Sequence, residues 1–368
     1  MDQPPETTFA CRRTARAKLN RGHGPRIWEQ QIMAEIVYGF GSSHGPLLST
    51  APEKWDLRAQ ADMENPAHPF RGEIYNYEEL RELRKDENLG DQNQLSVRQE
   101  RHERNQKQMD ALAEKIAEVE PDIVVVVGDD QHEWFQDDIQ PSFTVYHGEK
   151  VINTALDQEK MKTVQPGLAI SMCANHPGED HAYPVPVGLA HAIIEQAIGD
   201  EFDIATSSEQ PKDEKGLIGI GHAVGFIYRR ILRDKPVPVV PILLNTFFPP
   251  NQPTPRRCYR FGQSIGRAIR GWNSDKRVAI CASGGISHFV IDEDFDNRIL
   301  KALLQRDEDA IFNEPNAMFR SGTSETKNWI AVAGILSGTD LEMDLLDYVP
   351  CYRTEAGTGN AMAFATWT

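Results

Sequence analysis

Ile123-Val124-Val125-Val126-Val127 runs straight into Gly128-Asp129-Asp130-Gln131-His132-Glu133. A short, continuous run of β-branched residues is far from a membrane span and reads as a strand buried on both faces, the pattern of a sheet covered on both sides. The polar residues that follow leave its carboxyl end, and in open α/β sheets that end is where ligands bind. Three other stretches are built the same way: IVYGFGSSH (Ile36 to His44), LIGIGH (Leu217 to His222) and VAICASGGISH (Val278 to His288). Each is apolar or rich in Gly and Ser and ends in histidine. The expectation is that His44, His132, His222 and His288 stand at equivalent strand ends and face one site.

Working outward, strands alternate with helices. Ile36 to Phe40, Ile123 to Val127, Phe202 to Thr206, Val237 to Leu244, Val278 to Ala282 and Ala361 to Trp367 read as strands. Val97 to Val119 reads as a helix, because Met109, Leu112, Ile116 and Val119 share one face; Pro186 to Ile198 and Arg256 to Ile269 read as two more. The fold class is therefore α/β, one domain with a central, largely parallel or mixed sheet, helices on both faces and the site at the strand carboxyl ends. Pro46 to Asp91, with Pro52, Pro66, Pro69 and the aromatics Trp55, Phe70, Tyr75 and Tyr77, reads as one long irregular stretch, the kind that forms a lid or pocket wall.

Composition bounds the function. The 368 residues are 40% hydrophobic, enough for a large core, and the formal charge of −16 argues against nucleic acid or an anionic membrane as partner. No run reaches the roughly 18 apolar residues of a membrane helix. Cys11, Cys173, Cys258, Cys281 and Cys351 are odd in number and scattered, which suits reduced thiols in a cytoplasm. Residues 1–32 carry Arg12, Arg13, Arg16, Lys18, Arg21 and Arg26 against three acids and lack apolar periodicity. A disordered basic extension ahead of a domain running from Met33 to Thr368 is expected, with a targeting leader as the other reading.

Each site candidate has a bland alternative. His44 lies in the tight turn Ser42-Ser43-His44-Gly45-Pro46 and could simply fill it. His132 is flanked by Asp129, Asp130 and Glu133, and carboxylates beside an imidazole fix its tautomer and raise its basicity as a ligand. His222 stands at a helix start, where it could be a cap. His288 follows Gly284-Gly285, which implies a backbone conformation closed to other residues. Glu325, just ahead of the amphipathic Trp329, Val332 and Leu336, is either a first-turn acid facing the helix dipole or the carboxylate that completes two histidines into a facial triad, which leaves positions open on ferrous iron. Gly39-x-Gly41-x-x-x-Gly45 is one residue too long for a dinucleotide loop and is followed by proline. Cys173-x-x-His176 with His181 has metal-like spacing but reads as a surface loop.

GSSHGPLL, VVVVGDDQHEWF, GIGHAVGF, NTFFPPNQPTPRRCYRFGQSI, SGGISHF and SGTSETKNW, in this order, resemble the class III extradiol ring-cleavage dioxygenases, the superfamily of the protocatechuate 4,5-dioxygenase β subunit, and within it the branch of 3-O-methylgallate and gallate dioxygenases. The resemblance runs from Met33 onward. It implies Fe(II) held by His44, His132 and Glu325, His288 as acid/base, and His222 touching the substrate hydroxyls. Gln131 separates Asp130 from His132, where the protocatechuate enzyme has its ligand directly after an aspartate. The implied reaction opens a catechol-type ring, a trihydroxy- or methoxy-dihydroxybenzoate, beside its two hydroxyls with O2. A metal can template ring and dioxygen together, and a base of near-neutral pKa that is not a ligand, His288, would move the hydroxyl proton. A homodimer is expected, with the pocket closed by Pro46 to Asp91 or by the second copy. Two other classes use the same residues: a zinc hydrolase, and a non-catalytic metal-binding scaffold, against which the pairing of His222 with His288 argues.

Overall fold

The computed structural model describes residues 32–368 apart from Lys215; the basic segment 1–32 lies outside the described residues save for Ile32. Within the unit Met33–Thr368, nine strands form one mixed sheet: β1 (Glu35–Ser42), β2 (Ile123–Asp129), β3 (Phe143–Tyr146), β4 (Ala205–Ser207), β5 (Val239–Leu244), β6 (Arg277–Ser283), β7 (His288–Val290), β8 (Met343–Tyr352) and β9 (Thr358–Trp367). The order is β7-β9-β1-β6-β2-β5-β3-β4, with β8 also on β9. The central four, β1, β6, β2 and β5, are mutually parallel, so Ser42, Ser283, Asp129 and Leu244 end at one edge. β9 runs antiparallel to β1, β7 and β8.

The pleat sends alternate residues to opposite faces. Ile123, Val125 and Val127 of β2 join the core under helices α3 (Val187–Gly199), α5 (Pro255–Gly271), α6 (Glu293–Leu304) and α7 (Thr326–Leu336). Val124 and Val126 face the other core, under α2 (Leu95–Val119) and α4 (His222–Phe226). The helix expected over Val97 to Val119 is α2, with Met109, Leu112 and Ile116 buried. Among the described residues no helix is long and apolar enough to cross a membrane, and Cys173, Cys258, Cys281 and Cys351 are free thiols.

Three expectations are corrected. Pro46 to Asp91 is not irregular: it contains α1 (Asp56–Glu64), a hairpin pairing His68–Phe70 with Glu73–Tyr75, and a helix Tyr77–Leu83 closed by an Asn76/Glu79 capping box. Phe70, Tyr77 and Leu80 pack on Val290 and Ala356, and Arg71 makes a two-pronged bond to Asp292 (2.8 and 2.7 Å), so proline spacing concealed a docked layer. His222 does not end a sheet strand, because Gly216–Leu217 pairs only with Lys212–Asp213 and His222 opens α4. His288 likewise begins a strand instead of ending one.

The glycines of the Gly39-x-Gly41 stretch have a packing role. A Cβ on Gly41 would overlap the ring of Trp329, and Trp329 is fully buried. The bare strand lets α7 lie close to β1, which sets the height of the residue just before the helix, Glu325.

Candidate metal centre

The first turn of α7 lies across the ends of β2 and β6. Asn328 Nδ2 donates to the Ser283 carbonyl (2.8 Å) and to Asp129 Oδ1 (2.9 Å), and Trp329 Nε1 donates to the Gly284 carbonyl (2.9 Å). These bonds carry Glu325 over the carboxyl edge of the sheet. There the possible ligand atoms of His44, Asp129, His222 and Glu325 all lie within 4.8 Å of one another, the group of this kind among the described residues. His44 Nε2 is 3.1 Å from Glu325 Oε2 and 3.1 Å from His222 Nε2; His222 Nε2 is 3.9 Å from Asp129 Oδ2.

Hydrogen bonds decide what these nitrogens offer. The Ser283 hydroxyl gives its proton to the Ala223 carbonyl (2.7 Å), so toward His44 Nδ1, 2.9 Å away, it acts as acceptor. His44 therefore carries its proton on Nδ1 and presents a lone pair at Nε2. Glu133 Oε1 accepts from His222 Nδ1 (2.6 Å) and from the His222 backbone N–H (2.8 Å), which turns His222 Nε2 inward in the same way. Two imidazole nitrogens 3.1 Å apart beside two carboxylates call for a positive charge between them, a proton or a metal ion. The donor set fits a divalent metal with mixed nitrogen and oxygen ligands.

The electrostatics agree. Burial opposes charge on His222, but the carboxylates of Glu133, Asp129 and Glu325 outweigh it and lift its pKa to about 10. Burial likewise opposes charge on Glu325, yet His288 and His44 hold its carboxyl well below the usual range. Asp129, wholly inaccessible, is pushed up by burial and by Glu325. Excess negative charge gathered in a dry place is what a cation relieves.

His288 sits behind Glu325, with Nε2 3.1 Å from Glu325 Oε1 and Nδ1 3.1 Å from the Ile286 carbonyl. Both ring nitrogens face oxygen acceptors, and Glu325 raises the pKa of His288 against the effect of burial. The glycines before it were expected to need an unusual backbone; they do not, since the positive-φ glycines are Gly72, Gly216 and Gly357. Room is the reason: a Cβ on Gly285 would come 2.6 Å from His288 Cε1, and one on Gly322 would overlap the same ring.

The structure thus brings together His44, His222, Glu325 and, one contact away, His288. It does not bring His132 to them. His132 has φ +61°, its ring stacks on Phe248 at 3.6 Å between centroids, and its Nε2 is 3.5 Å from Asp137 Oδ1. Its neighbours reach the site instead: Asp129 joins the group and Glu133 orients His222. Asp130 accepts from the Trp134 and Phe135 backbone N–H groups (2.8 and 3.2 Å) and so closes the turn. Near the decoy Cys173-x-x-His176, Cys173 is exposed and donates to the Ile170 carbonyl.

Residues 93–358 match the sequence profile of a family described as the catalytic LigB subunit of aromatic ring-opening dioxygenase. The chain belongs to this family. It is similar to the gallate dioxygenase of Pseudomonas putida, 31% identical over 170 residues, 41% of this chain and 47% of that protein. It is also similar to two proteins named 2,3-dihydroxyphenylpropionate/2,3-dihydroxicinnamic acid 1,2-dioxygenase. That of Cupriavidus necator is 25% identical over 178 residues, 48% of this chain and 47% of the relative; that of Klebsiella pneumoniae is 29% identical over 174 residues, 47% and 46%. The chain spans about half the length of the curated relatives it matches. Of the residues around this LigB-family site, Ser283 and Asn328 escaped the sequence reading, and Asp129 and Glu133 were read as partners of His132 when they stand by His222. Asp129 carried a signal: the period-two alternation from Ile123 sends it to the face of α7.

Proposed function

We propose that this chain is a non-haem Fe(II)-dependent extradiol dioxygenase that opens a catechol-type aromatic, of the trihydroxy- or methoxy-dihydroxybenzoate kind, with O2. The observation that carries the reading is the convergence of His44 Nε2, His222 Nε2 and Glu325 Oε2, each turned inward by its own hydrogen bonds, with His288 on the far oxygen of the same carboxylate. In this reading His44, His222 and Glu325 hold the metal, and Asp129, with its oxygens engaged by Asn328 and Gln131 (2.9 and 3.0 Å), balances charge beside it. The geometry favours His222 over His132 as the second imidazole. Bound ferrous iron would supply the electron path that lets a catechol and dioxygen react despite their different spin states.

The chain itself supplies proton handling and dryness. His288 holds Nδ1–H on the Ile286 carbonyl and Nε2 against Glu325 Oε1, and in this reading Nε2 exchanges a proton with a ring hydroxyl once the carboxylate is drawn to the metal. Its exposure of 5%, with 6% at His44 and 5% at Glu325, keeps bulk water from competing for that proton. Glu133 and Ser283 hold the two ligand rings from behind. The test is metal analysis of protein purified without air, followed by oxygen uptake with catechols, gallate and 3-O-methylgallate. Stoichiometric iron with oxygen consumption is expected; tightly held zinc with no oxygen uptake on any ring would replace this reading with a hydrolase.

A further inference from the structure

β7 is a three-residue strand at the border of the sheet, with β9 on one side only. Along an antiparallel strand, successive residues turn their N–H and C=O toward the partner and then away from it. Around His288 the bonds to β9 belong to its neighbours. The Ser287 carbonyl accepts from the Ala361 N–H (3.0 Å), and the Ile291 N–H donates to the Gly357 carbonyl (3.0 Å). The N–H and C=O of His288 are met instead by one side chain on the open border: the Thr323 hydroxyl accepts from the His288 N–H (3.2 Å) and donates to the His288 carbonyl (3.1 Å). A single oxygen stands in for a neighbouring strand.

Thr323 lies in the turn Ser321–Glu325, which ends on the carboxylate of the site. The hydroxyl that holds the backbone of His288 and the carboxylate that meets its Nε2 (3.1 Å) therefore belong to the same five residues. That turn also supplies Gly322, whose missing Cβ leaves room for the His288 ring. The residue before the histidine is fixed separately, since the Ser287 hydroxyl donates to Asp296 Oδ2 (2.6 Å) and accepts from the Asp292 N–H (2.8 Å). With its backbone held on both sides, His288 keeps only side-chain rotation. We infer that Thr323 is a positioning residue for proton exchange at His288: it locks the histidine's backbone to the turn that carries Glu325, so that base and metal-holding carboxylate keep one spacing. The inference rests on the ring-cleavage reading above. Thr323 acts through His288, and a misplacement of about 1 Å can cost roughly 10² in rate.

The test removes the hydroxyl and keeps the shape. Thr323→Val should lower kcat on gallate or 3-O-methylgallate by roughly 10- to 100-fold, with KM within about twofold and iron content unchanged. Thr323→Ser, which keeps the hydroxyl, should return most of the rate. Thr323→Ala is the second variant; it leaves room for water at both backbone groups, so it should lose kcat in the same way with a smaller fall in melting temperature. Unchanged kcat in Thr323→Val and Thr323→Ala, a loss that Thr323→Ser does not restore, or a loss of iron in step with kcat overturns the inference. A second readout needs neither metal nor substrate: amide hydrogen exchange across Ile286–Val290, followed by mass spectrometry, should be faster in Thr323→Val than in the wild type, because the His288 N–H has lost its acceptor. Equal exchange in the two proteins also overturns the inference. If the iron-loaded wild type takes up no oxygen with any ring, the dioxygenase reading falls, and the exchange comparison alone decides whether Thr323 locks His288.

Discussion

Two turns leave neighbouring parallel strands of the sheet, Asp130 to Glu133 after β2 and Gly284 to His288 after β6, and both carry a histidine. In the second the histidine turns inward, caged by glycines and bonded to Glu325. In the first the backbone passes through φ +61° at His132, the ring leaves for Phe248, and the acids on either side reach the site. The place where a polar cluster emerges is fixed by the strand. Which member of the cluster faces in is fixed by backbone conformation one or two residues later.

The strongest way to break this comparison is metal loading. His44→Ala, His222→Ala and Glu325→Ala are expected to lose the ion and all turnover, while His132→Ala keeps both; iron analysis of the four variants decides, and stoichiometric iron in His222→Ala would return the ligand role to His132. His288→Gln should keep its iron and its substrate affinity but turn over more slowly by roughly 10² to 10⁴, the usual contribution of a positioned acid/base. Loss of iron there would make His288 a ligand; near-normal turnover would make it a bystander. Glu133→Gln sharpens the first turn's part, since it keeps the shape but gives up the charge that holds His222 Nδ1–H. A fall in metal affinity of about 10- to 100-fold is expected, and unchanged affinity in a chelator competition would remove Glu133 from the site.

The second turn has an anchor of its own. Asp296 accepts from the Ser287 N–H (3.0 Å), the Ser287 hydroxyl (2.6 Å) and the Tyr348 hydroxyl (2.6 Å), yet burial raises its pKa to about 7. The folded state therefore binds this proton more tightly than the unfolded chain, whose aspartate titrates near 4. The stability from that proton is present in full below pH about 4 and is lost as pH rises through about 7. Asp296→Asn should flatten the dependence of melting temperature on pH across that window, and an unaltered slope would contradict the assignment. The smallest effect is expected from a chain beginning at Met33. Every residue named in the site lies beyond it, so on the proposed function iron content and turnover should be unchanged, and a drop in either would tie the basic segment to the site.

The sheet was legible because its central strands are short, nearly continuous apolar runs, and α2, α3, α5 and α7 because their apolar spacing is regular. β8 was not, as Met343 to Tyr352 mixes acids, a proline and half-buried residues along an edge. Phe202 to Thr206 shrank to Ala205–Ser207 because Phe202 belongs to the core beside Phe143 and Phe261 instead of to a ladder. His44, Glu325 and His288 could be picked out because each stands beside a packed element: His44 just past β1, Glu325 just before α7 and His288 at the start of β7. The tasks of Glu133 and Ser283 could not, since they depend on partners 89 and 239 residues away.

β9 adds a constraint of timing. It is buried along its whole length, joins β1, β7 and β8, and gives its Ala363 N–H to the Ser43 hydroxyl across 320 residues of chain. β1 is made early and has neither neighbour until β6 and then β9 emerge, so during synthesis it is an unpaired apolar edge, and pairing over such separations is slow. A nascent chain in this state keeps an open apolar edge until its last strand is made. His44 is made early, but the carboxylate it meets at 3.1 Å arrives only with Glu325, so this cluster is among the last parts of the protein to be assembled.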